Sequence, residues 1–244
     1  METFIAFWNI LKKDIRNYYL KPPNISWGII FPLSWTLIQF IRSSGDIGIV
    51  ELLPGLMAMS ILFGTTSMLA VTITFEKRSK SFDRLLLAPI SISILVSAKI
   101  LGAILFGIVN AFVPVVFAAF LADLSGVNWG LTLISVVLIA VTSALLGLLV
   151  AVSVREVFEA QTLSNFFRFP MLFLCGLFIP IDKLPVILKP ISFCLPLTYG
   201  ADMLNSGIIH NSSFNILFSF VIMLLFMVLL FYLCKRNIEK KWIL

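Results

Sequence analysis

The sequence predicts an all-α integral membrane protein with six transmembrane helices, and three observations lead to this fold class. Of the 244 residues, 60% are hydrophobic and only 12% are charged, which is unlike a soluble domain. Six apolar runs contain no Asp, Glu, Lys, Arg or His, and most reach the roughly 20 residues that cross a bilayer. No intervening segment is long enough for a second core, so residues 1–244 are expected to form a single transmembrane domain. The runs are 26–41, 52–75, 100–122, 131–154, 169–181 and 214–234.

The first element, residues 1–21, is predicted to be an amphipathic helix lying at the inner membrane interface. Apolar residues recur on one helical face at steps of three and four, whereas Lys12, Lys13 and Arg16 lie largely away from it. Pro22 and Pro23 mark the turn into the first span. The apolar face is formed by Phe4, Trp8, Leu11, Ile15 and Tyr18.

The basic residues indicate how the spans are oriented. With both termini in the cytoplasm, fifteen lysines and arginines lie inside and three, Arg42, Lys183 and Lys189, lie outside, which accounts for all eighteen. Because cytoplasmic loops carry the excess of basic residues, this multi-pass arrangement in the cell membrane is predicted. The short fifth run is retained as a span, since otherwise the basic tail would fall outside. The net charge of +6 therefore reflects topology and attraction to anionic lipid, without requiring nucleic acid.

The segment between spans two and three, residues 76–89, carries six charges between Glu76 and Arg84. Ser81 is expected to cap a short helix, and Pro89 to end it. Phe82, Leu85 and Leu86 then share one face, which Asp83 and Arg84 flank. This pattern fits a docking element with Phe82 as its buried anchor, or an interfacial helix that dips its leucines into lipid.

The segment after span five, residues 181–210, is too apolar for an exposed loop and too rich in proline for one continuous helix. It is therefore expected to form short helices that re-enter the outer leaflet. Glycines in the spans, among them Gly107 and Gly147, are expected at close helix contacts.

Motifs for catalysis and nucleotide binding are missing from the sequence. There is no phosphate-binding loop, no H-E-x-x-H zinc pair and no G-x-S-x-G nucleophile motif. The single histidine, His210, falls in an outer loop, and the six apolar runs carry no ionisable side chain. Proton-coupled carriers and intramembrane enzymes generally place such groups at depth. We therefore expect no catalytic, cofactor or metal site on this chain, and expect energy for any active transport to come from another polypeptide.

Two stretches resemble the permeases of type-2 ABC exporters. The run EKRSKSFDRLLLAPIS, residues 76–91, is similar to their cytoplasmic segment, approximately E-[RK]-E-x-G-T-L-E-x-L-L-x-T-P-[IVL]-S. Lys80 stands where glycine is usual, Phe82 where leucine is common and Ala88 where threonine is common. The matching residues are Glu76, Asp83, Leu85, Leu86, Pro89 and Ser91.

The second stretch, residues 169–204, resembles the family's fifth span and outer re-entrant region. A proline-led apolar run is followed there by S-G-x-x-[FI]-P, L-P and P-[LF]-[TS]-Y, with Cys175 at the usual serine position. The matches, in order, are Gly176, Pro180, Leu184, Pro185, Pro196, Leu197, Thr198 and Tyr199. Together with the six-span layout, the resemblance covers nearly the whole chain.

The resemblance implies a permease subunit that dimerises and binds two copies of a separately encoded ATPase, on which ATP and Mg²⁺ would reside. The family's coupling helix corresponds here to residues 76–89, with the docking contacts at Glu76, Phe82, Asp83, Arg84, Leu85, Leu86 and Pro89. The outer block would line or shield the exit. The alternative from the residues alone is an ATPase-independent channel, scramblase or membrane assembly factor. The substrate is not defined by the sequence.

Overall fold

The computed structural model describes residues 2–19, 25–42, 48–87 and 90–240, and within these ranges the chain is helical and contains no β-strand. Pro22, Pro23 and Pro89, which were predicted to end or turn helices, lie outside the described residues. The helices are α1 (Glu2–Asp14), α2 (Phe31–Arg42), α3 (Ile49–Arg78), α4 (Ser81–Leu86), α5 (Ile92–Ala119), α6 (Trp129–Ser153), α7 (Val157–Leu174), α8 (Lys189–Phe193), α9 (Pro196–Ile209) and α10 (Ile216–Ile238). Ile15–Tyr19 and Ser26–Ile30 are π-helical, and Ile181–Lys183 is a 3₁₀ turn.

Four described helices, α3, α5, α6 and α10, are long and apolar enough to cross a membrane. Their ranges overlap the second, third, fourth and sixth predicted runs. The first run forms a π-helical turn followed by the 12-residue α2. The predicted start of the fifth run is wrong, because α7 begins at Val157 and ends at Leu174, before an irregular stretch. Polar residues of the preceding loop therefore belong to this helix.

Helix α3 forms the centre of the bundle and packs against α5, α6, α7 and α9. Its most apolar window is 94% buried inside the protein, compared with 17% for α10. A helix that is apolar on every side is suited to such a central position, because no face has to meet solvent. At about 1.5 Å per residue, its 30 residues span about 45 Å, which exceeds the ~30 Å hydrocarbon core. Its two ends therefore extend into the interfaces.

The helix ends alternate between two sides of the bundle. The end of α3, the start of α5, the end of α6 and the end of α10 meet around α1 and α4, and we call this the α4 side. The α8–α9 segment packs at the opposite side, against the start of α10. This alternation agrees with the side on which each predicted loop was expected.

Close packing of α3 and α6 depends on Gly147. A Cβ atom at Gly147 would lie 2.9 Å from the carbonyl oxygen of Thr66 and 3.1 Å from its Cα, and this backbone cannot move aside cheaply. At Gly130, near the start of the same helix, the nearest atom to a Cβ would be 3.5 Å away. The contact at Gly147 agrees with the prediction of close helix packing there.

We expect Gly147→Ala to lower the free energy of unfolding by about 1 kcal/mol. The overpacking penalty of roughly 1–3 kcal/mol exceeds the up to ~1 kcal/mol that alanine gains in helix propensity. The matched change Gly130→Ala is expected to leave stability equal or slightly higher. Unfolding in mixed detergent micelles measures both, and equal stabilities of the two variants would contradict the proposed contact.

Candidate functional site

Helix α4 is joined to α3 by a tight turn at Ser79 and Lys80, where Lys80 has the left-handed φ of 55°. The hydroxyls of Ser79 and Ser81 both donate to the carbonyl oxygen of Glu76, each at 3.2 Å. This carbonyl oxygen lies in the last turn of α3, where backbone acceptors lack helical partners. Ser81, which was predicted to cap the short helix, is its first residue.

The ring of Phe82 is 1% exposed and lies inside this chain, not on its surface. It joins a hydrophobic cluster with Ile73 of α3 and Leu95 of α5, while Lys77 Nζ lies 6.0 Å from the ring centroid. Glu76 is likewise fully buried. In this structure neither Phe82 nor Glu76 can contact a partner, contrary to their expected place on a docking surface. Both instead attach α4 to the helices that support it.

Glu76 belongs to a buried network of four charges contributed by three helices. Lys99 of α5 lies 2.9 Å from Asp14 Oδ2 and 2.6 Å from Glu76 Oε2. Lys13 of α1 lies 2.6 Å from Glu76 Oε1 and 3.1 Å from Asp14 Oδ1. Asp14, Glu76 and Lys99 are each at most 2% exposed. We call Lys13, Asp14, Glu76 and Lys99 the ion network.

The ion network is electrically balanced, with two carboxylates and two ammonium groups. Each lone buried charge would cost several kcal/mol, whereas four alternating charges at these distances compensate one another. Burial alone would lower the pKa of Lys13, but the hydrogen bond to Glu76 and the charges of Asp14 and Glu76 outweigh burial and raise it. Lys13 therefore remains an ammonium group at neutral pH. The network fixes α1 to the ends of α3 and α5 beside α4.

Sequence reasoning missed this network, although it had counted Lys13 and Lys99 as basic residues on the inner side. The buried face of α1 carries Ile10, Leu11 and Asp14, whereas Trp8 and Ile15 of the predicted apolar face are exposed. A single acidic residue among the lysines of an amphipathic helix was the available signal. The Lys13–Glu76 pair is separated by 63 residues along the chain and the Asp14–Lys99 pair by 85, which no local pattern reveals.

The exposed surface of the α4 side lies next to these buried anchors. Arg84 is exposed, and Leu87, directly after α4, is 86% exposed. The loop before α7 joins this surface through Arg78 Nη1 and Glu156 Oε2, which lie 3.3 Å apart. Phe158, at the start of α7, is 82% exposed. Apolar side chains thus stand among charges here, which is the composition of a protein-binding surface.

The remaining docking residues of the sequence prediction differ in how the structure describes them. Leu85 is partly buried and packs against the cluster around Phe82. The backbone of Asp83 and Leu86 belongs to α4, but their side chains are not described, and Pro89 lies outside the described residues.

A second buried charge, Arg168 of α7, lies level with the middle of α3. Its Nε donates to Thr66 Oγ1 at 2.6 Å and its Nη1 to Asn165 Oδ1 at 3.2 Å, while its Cζ lies 5.3 Å from the Phe63 ring centroid. The residue is fully buried and its Nη2 has no hydrogen-bond partner. Within the described part of the chain, no carboxylate pairs with it. Arg168 directly precedes the predicted fifth run, which itself carries no ionisable side chain, and the structure places Arg168 within helix α7.

At the opposite side, the predicted outer motif forms a compact turn and helix arrangement. Gly176 adopts φ 85°, which favours glycine, and Pro180 and Pro196 stand directly before the 3₁₀ turn and at the start of α9. Thr198 Oγ1 donates to Ser192 O at 2.6 Å, and Tyr199 Oη donates to Phe193 O at 2.9 Å.

The hydrogen bonds of Thr198 and Tyr199 hold α8 against α9. Pro185 lies in the turn between the 3₁₀ turn and α8. A cavity of about 540 Å³ opens beside this block and is lined by Gly176, Pro180 and Thr198 together with Glu51 and Asp202. Three residues of the sequence motif, Gly176, Pro180 and Thr198, thus lie around one opening.

Comparisons with known proteins associate this chain with membrane permeases. The model of the ABC-2 type transporter family matches residues 5–209, from α1 to the end of α9. The inner membrane transport permease YadH of Escherichia coli K12 is 21% identical over 245 residues, covering 97% of this chain and 96% of YadH. The YadH sequences of Escherichia coli O157:H7 and Shigella flexneri give the same values. These similarities and the apolar helices support a multi-pass protein of the cell membrane.

We expect Lys99→Met to lower the free energy of unfolding by about 3–5 kcal/mol, because it leaves two buried carboxylates with a single lysine. The double variant Glu76→Gln, Lys99→Met restores the charge balance, and should be at least ~1 kcal/mol more stable than Lys99→Met. As a control, Arg78→Gln breaks an exposed pair and should cost about 0–1 kcal/mol. Unfolding in mixed micelles measures these variants together with the single variant Glu76→Gln, and a double variant with the summed loss of both single variants would contradict a balanced network.

The opposite outcome is expected at Arg168, whose charge has no counter-ion in the described structure. Arg168→Met should leave the free energy of unfolding unchanged or raise it, because a buried charge is removed. Arg168→Lys should be less stable than Arg168→Met, since an ammonium group stays charged and lacks the planar donor set that reaches both Thr66 and Asn165. A loss with Arg168→Met as large as that with Lys99→Met would show that Arg168 has an anionic partner.

Proposed function

Because the chain belongs to the ABC-2 type transporter family, we propose that it is the membrane-spanning permease subunit of an ATP-driven exporter whose ATPase is a separate polypeptide. The observation that carries this proposal is the attachment of α4. Its turn, its buried Phe82 and the adjacent ion network connect one exposed surface to α1, α3 and α5 together. A force applied to that surface would reach three helices at once.

The proposed ATPase-docking surface consists of the exposed residues around α4 and the start of α7. Leu87 and Phe158 supply apolar contacts, and Arg84 and the Arg78–Glu156 pair supply charged ones. Exposed apolar groups among charges support a site for another protein, because an apolar centre with a polar rim is typical of protein interfaces. Asp83, Leu86 and Pro89 remain candidates from the sequence motif, while Glu76 and Phe82 act as internal supports.

The proposed topology has six spans with both termini in the cytoplasm. The four long helices would be completed by α2, with the π-helical turn before it, and by α7, while α8 and α9 form the outer re-entrant block. The gathering of the α3, α5, α6 and α10 ends around α4 supports this arrangement, since each adjacent pair of spans then runs antiparallel. The α4 side would face the cytoplasm, where an ATPase has access to ATP and Mg²⁺.

The proposed assembly contains two permease copies and two ATPase copies. Helix α2 exposes Leu37, Ile38 and Ile41 at 54–68%, and helix α7 exposes Phe166 at 69%. These apolar faces border α3, and a second copy packed there would place the transport route between the two α3 helices. In this mechanism ATP-driven closure of the ATPase pair moves α4, and α3 and α5 with it, as a population shift between two packings.

We expect Leu87→Asp and Phe158→Asp each to reduce ATPase binding at least about tenfold, since loss of an interface anchor costs about 2 kcal/mol or more. The measurement is co-purification and ATPase stimulation after co-expression with candidate ABC ATPase subunits from the source organism. Phe120→Asp is the matched control, because Phe120 is 83% exposed but lies at the opposite side of the bundle.

Equal effects of Leu87→Asp and Phe120→Asp would contradict the docking surface. If no ATPase associated, and the reconstituted chain alone moved lipid or solute, the chain would instead be an ATPase-independent channel or scramblase.

A further inference from the structure

A groove runs along the outside of the bundle on the α4 side, between α5 and α10. Both of these helices pack against α6, which forms the floor of the groove. Two cavities of about 340 and 610 Å³ occupy the space between the walls. They adjoin, because Ser97, Ile100 and Phe231 line both. Cys234 Sγ donates to Leu145 O at 3.3 Å, so that α10 contacts α6 at the floor of the groove.

The groove has the length of one lipid leaflet. Its α5 wall carries Ile92, Val96, Ile100 and Ile104, which recur at every fourth residue and therefore follow one helical face. From Ile92 to Ile104 the wall rises about 18 Å, compared with ~15 Å for half of a ~30 Å hydrocarbon core. The deeper cavity is lined almost entirely by apolar side chains. An acyl chain of one leaflet is the apolar group that fits this shape and depth.

The charged residues that line the groove stand at its end on the α4 side. Lys235 and Glu239 lie one helical turn apart at the end of α10, and both are exposed. The hydroxyl-bearing Ser93 and Ser97 line the facing wall of α5. Within the described residues, Lys235 and Glu239 form no ion pair with each other. A cation, an anion and hydroxyl groups thus stand together where a lipid headgroup would lie.

We propose that this groove binds one phospholipid with a phosphoethanolamine headgroup. Its acyl chain lies between α5 and α10, its phosphate binds Lys235 and the serine hydroxyls, and its ammonium group faces Glu239. A headgroup with only a negative charge would place that charge beside Glu239 without compensation, which is why the zwitterion is favoured. The site requires neither the ATPase nor a particular direction of transport, so it can fail or hold independently of the exporter function.

Native mass spectrometry of the purified full-length chain tests the headgroup preference. Dioleoyl-phosphatidylethanolamine and dioleoyl-phosphatidylglycerol are added separately, so that the acyl chains are identical. The chain should retain one phosphatidylethanolamine at least about threefold more than phosphatidylglycerol. Lys235→Gln should lower retention of both lipids, and Glu239→Gln should reverse the preference. Arg236→Gln, which changes the next residue outside the groove lining, should leave both unchanged.

A groove-filling variant tests the acyl-chain position separately. Ser97→Trp places a large ring where the two cavities meet, and should abolish retention of both lipids without changing the unfolding midpoint. Val109→Trp is its control, because Val109 is 64% exposed on the same helix but outside the groove lining. Equal retention of the two lipids by the unmodified chain would overturn the headgroup assignment. Equal losses with Ser97→Trp and Val109→Trp, or with Lys235→Gln and Arg236→Gln, would show a general lipid annulus and overturn the site.

Discussion

The arrangement of the α4 side depends on one constraint, the mutual neutralisation of four charges that are withdrawn from water. Lys13, Asp14, Glu76 and Lys99 come from three helices, and removing one member leaves an uncompensated buried charge. Apolar packing alone could hold α1 at several registers along its neighbour α5, because such contacts are not directional. The charges select one register, since sliding α1 by one residue would break its two short contacts to other helices, Lys13–Glu76 and Asp14–Lys99. Ionic pairing therefore fixes α1 to α3 and α5, and α4 packs beside these three helices.

A contrast between two buried polar sites on α3 clarifies what each does. Glu76 and Thr66 are ten residues apart, or about 15 Å along the helix. At Glu76 the charges are balanced and hold three helices together. At Thr66 the guanidinium of Arg168 is held by two neutral acceptors and one aromatic ring, with Nη2 unpaired. The ion network at Glu76 therefore stabilises one arrangement of the helices. At Thr66, burial of the Arg168 charge without a counter-ion in the described structure costs free energy.

The sequence allowed the fold class and four long helices to be predicted, because apolar length is a local property that composition reveals directly. The start of α7 was misplaced for the same reason. Its first twelve residues, Val157–Arg168, include Glu159 and Arg168, so an apolar-run criterion excluded them. The ion network was missed because its members are joined only by tertiary packing. The apolar face of α4 was recognised, but whether Phe82 points into the chain or toward a partner is not encoded in helical spacing. Burial within the completed bundle decides that question.

The internal position of Phe82 changes how coupling through α4 would work. If the Phe82 side chain were inserted into a partner, it would not be packed against its own chain. Movement of the partner would then be transmitted only through the contacts at the interface. With Phe82 packed in a cluster with residues of α3 and α5, and with Glu76 part of α3, α4 would move together with those helices, and a partner would need only the exposed residues around Leu87. Helix α5 is also one wall of the lipid groove, while α10 is the other. A displacement of α5 driven from α4 would therefore change the width of that groove. Because coupling is reciprocal, a bound lipid would favour or oppose the displacement by the same free energy with which the displacement changes lipid binding. The mechanism thus links the docking surface to the surrounding membrane through a single helix.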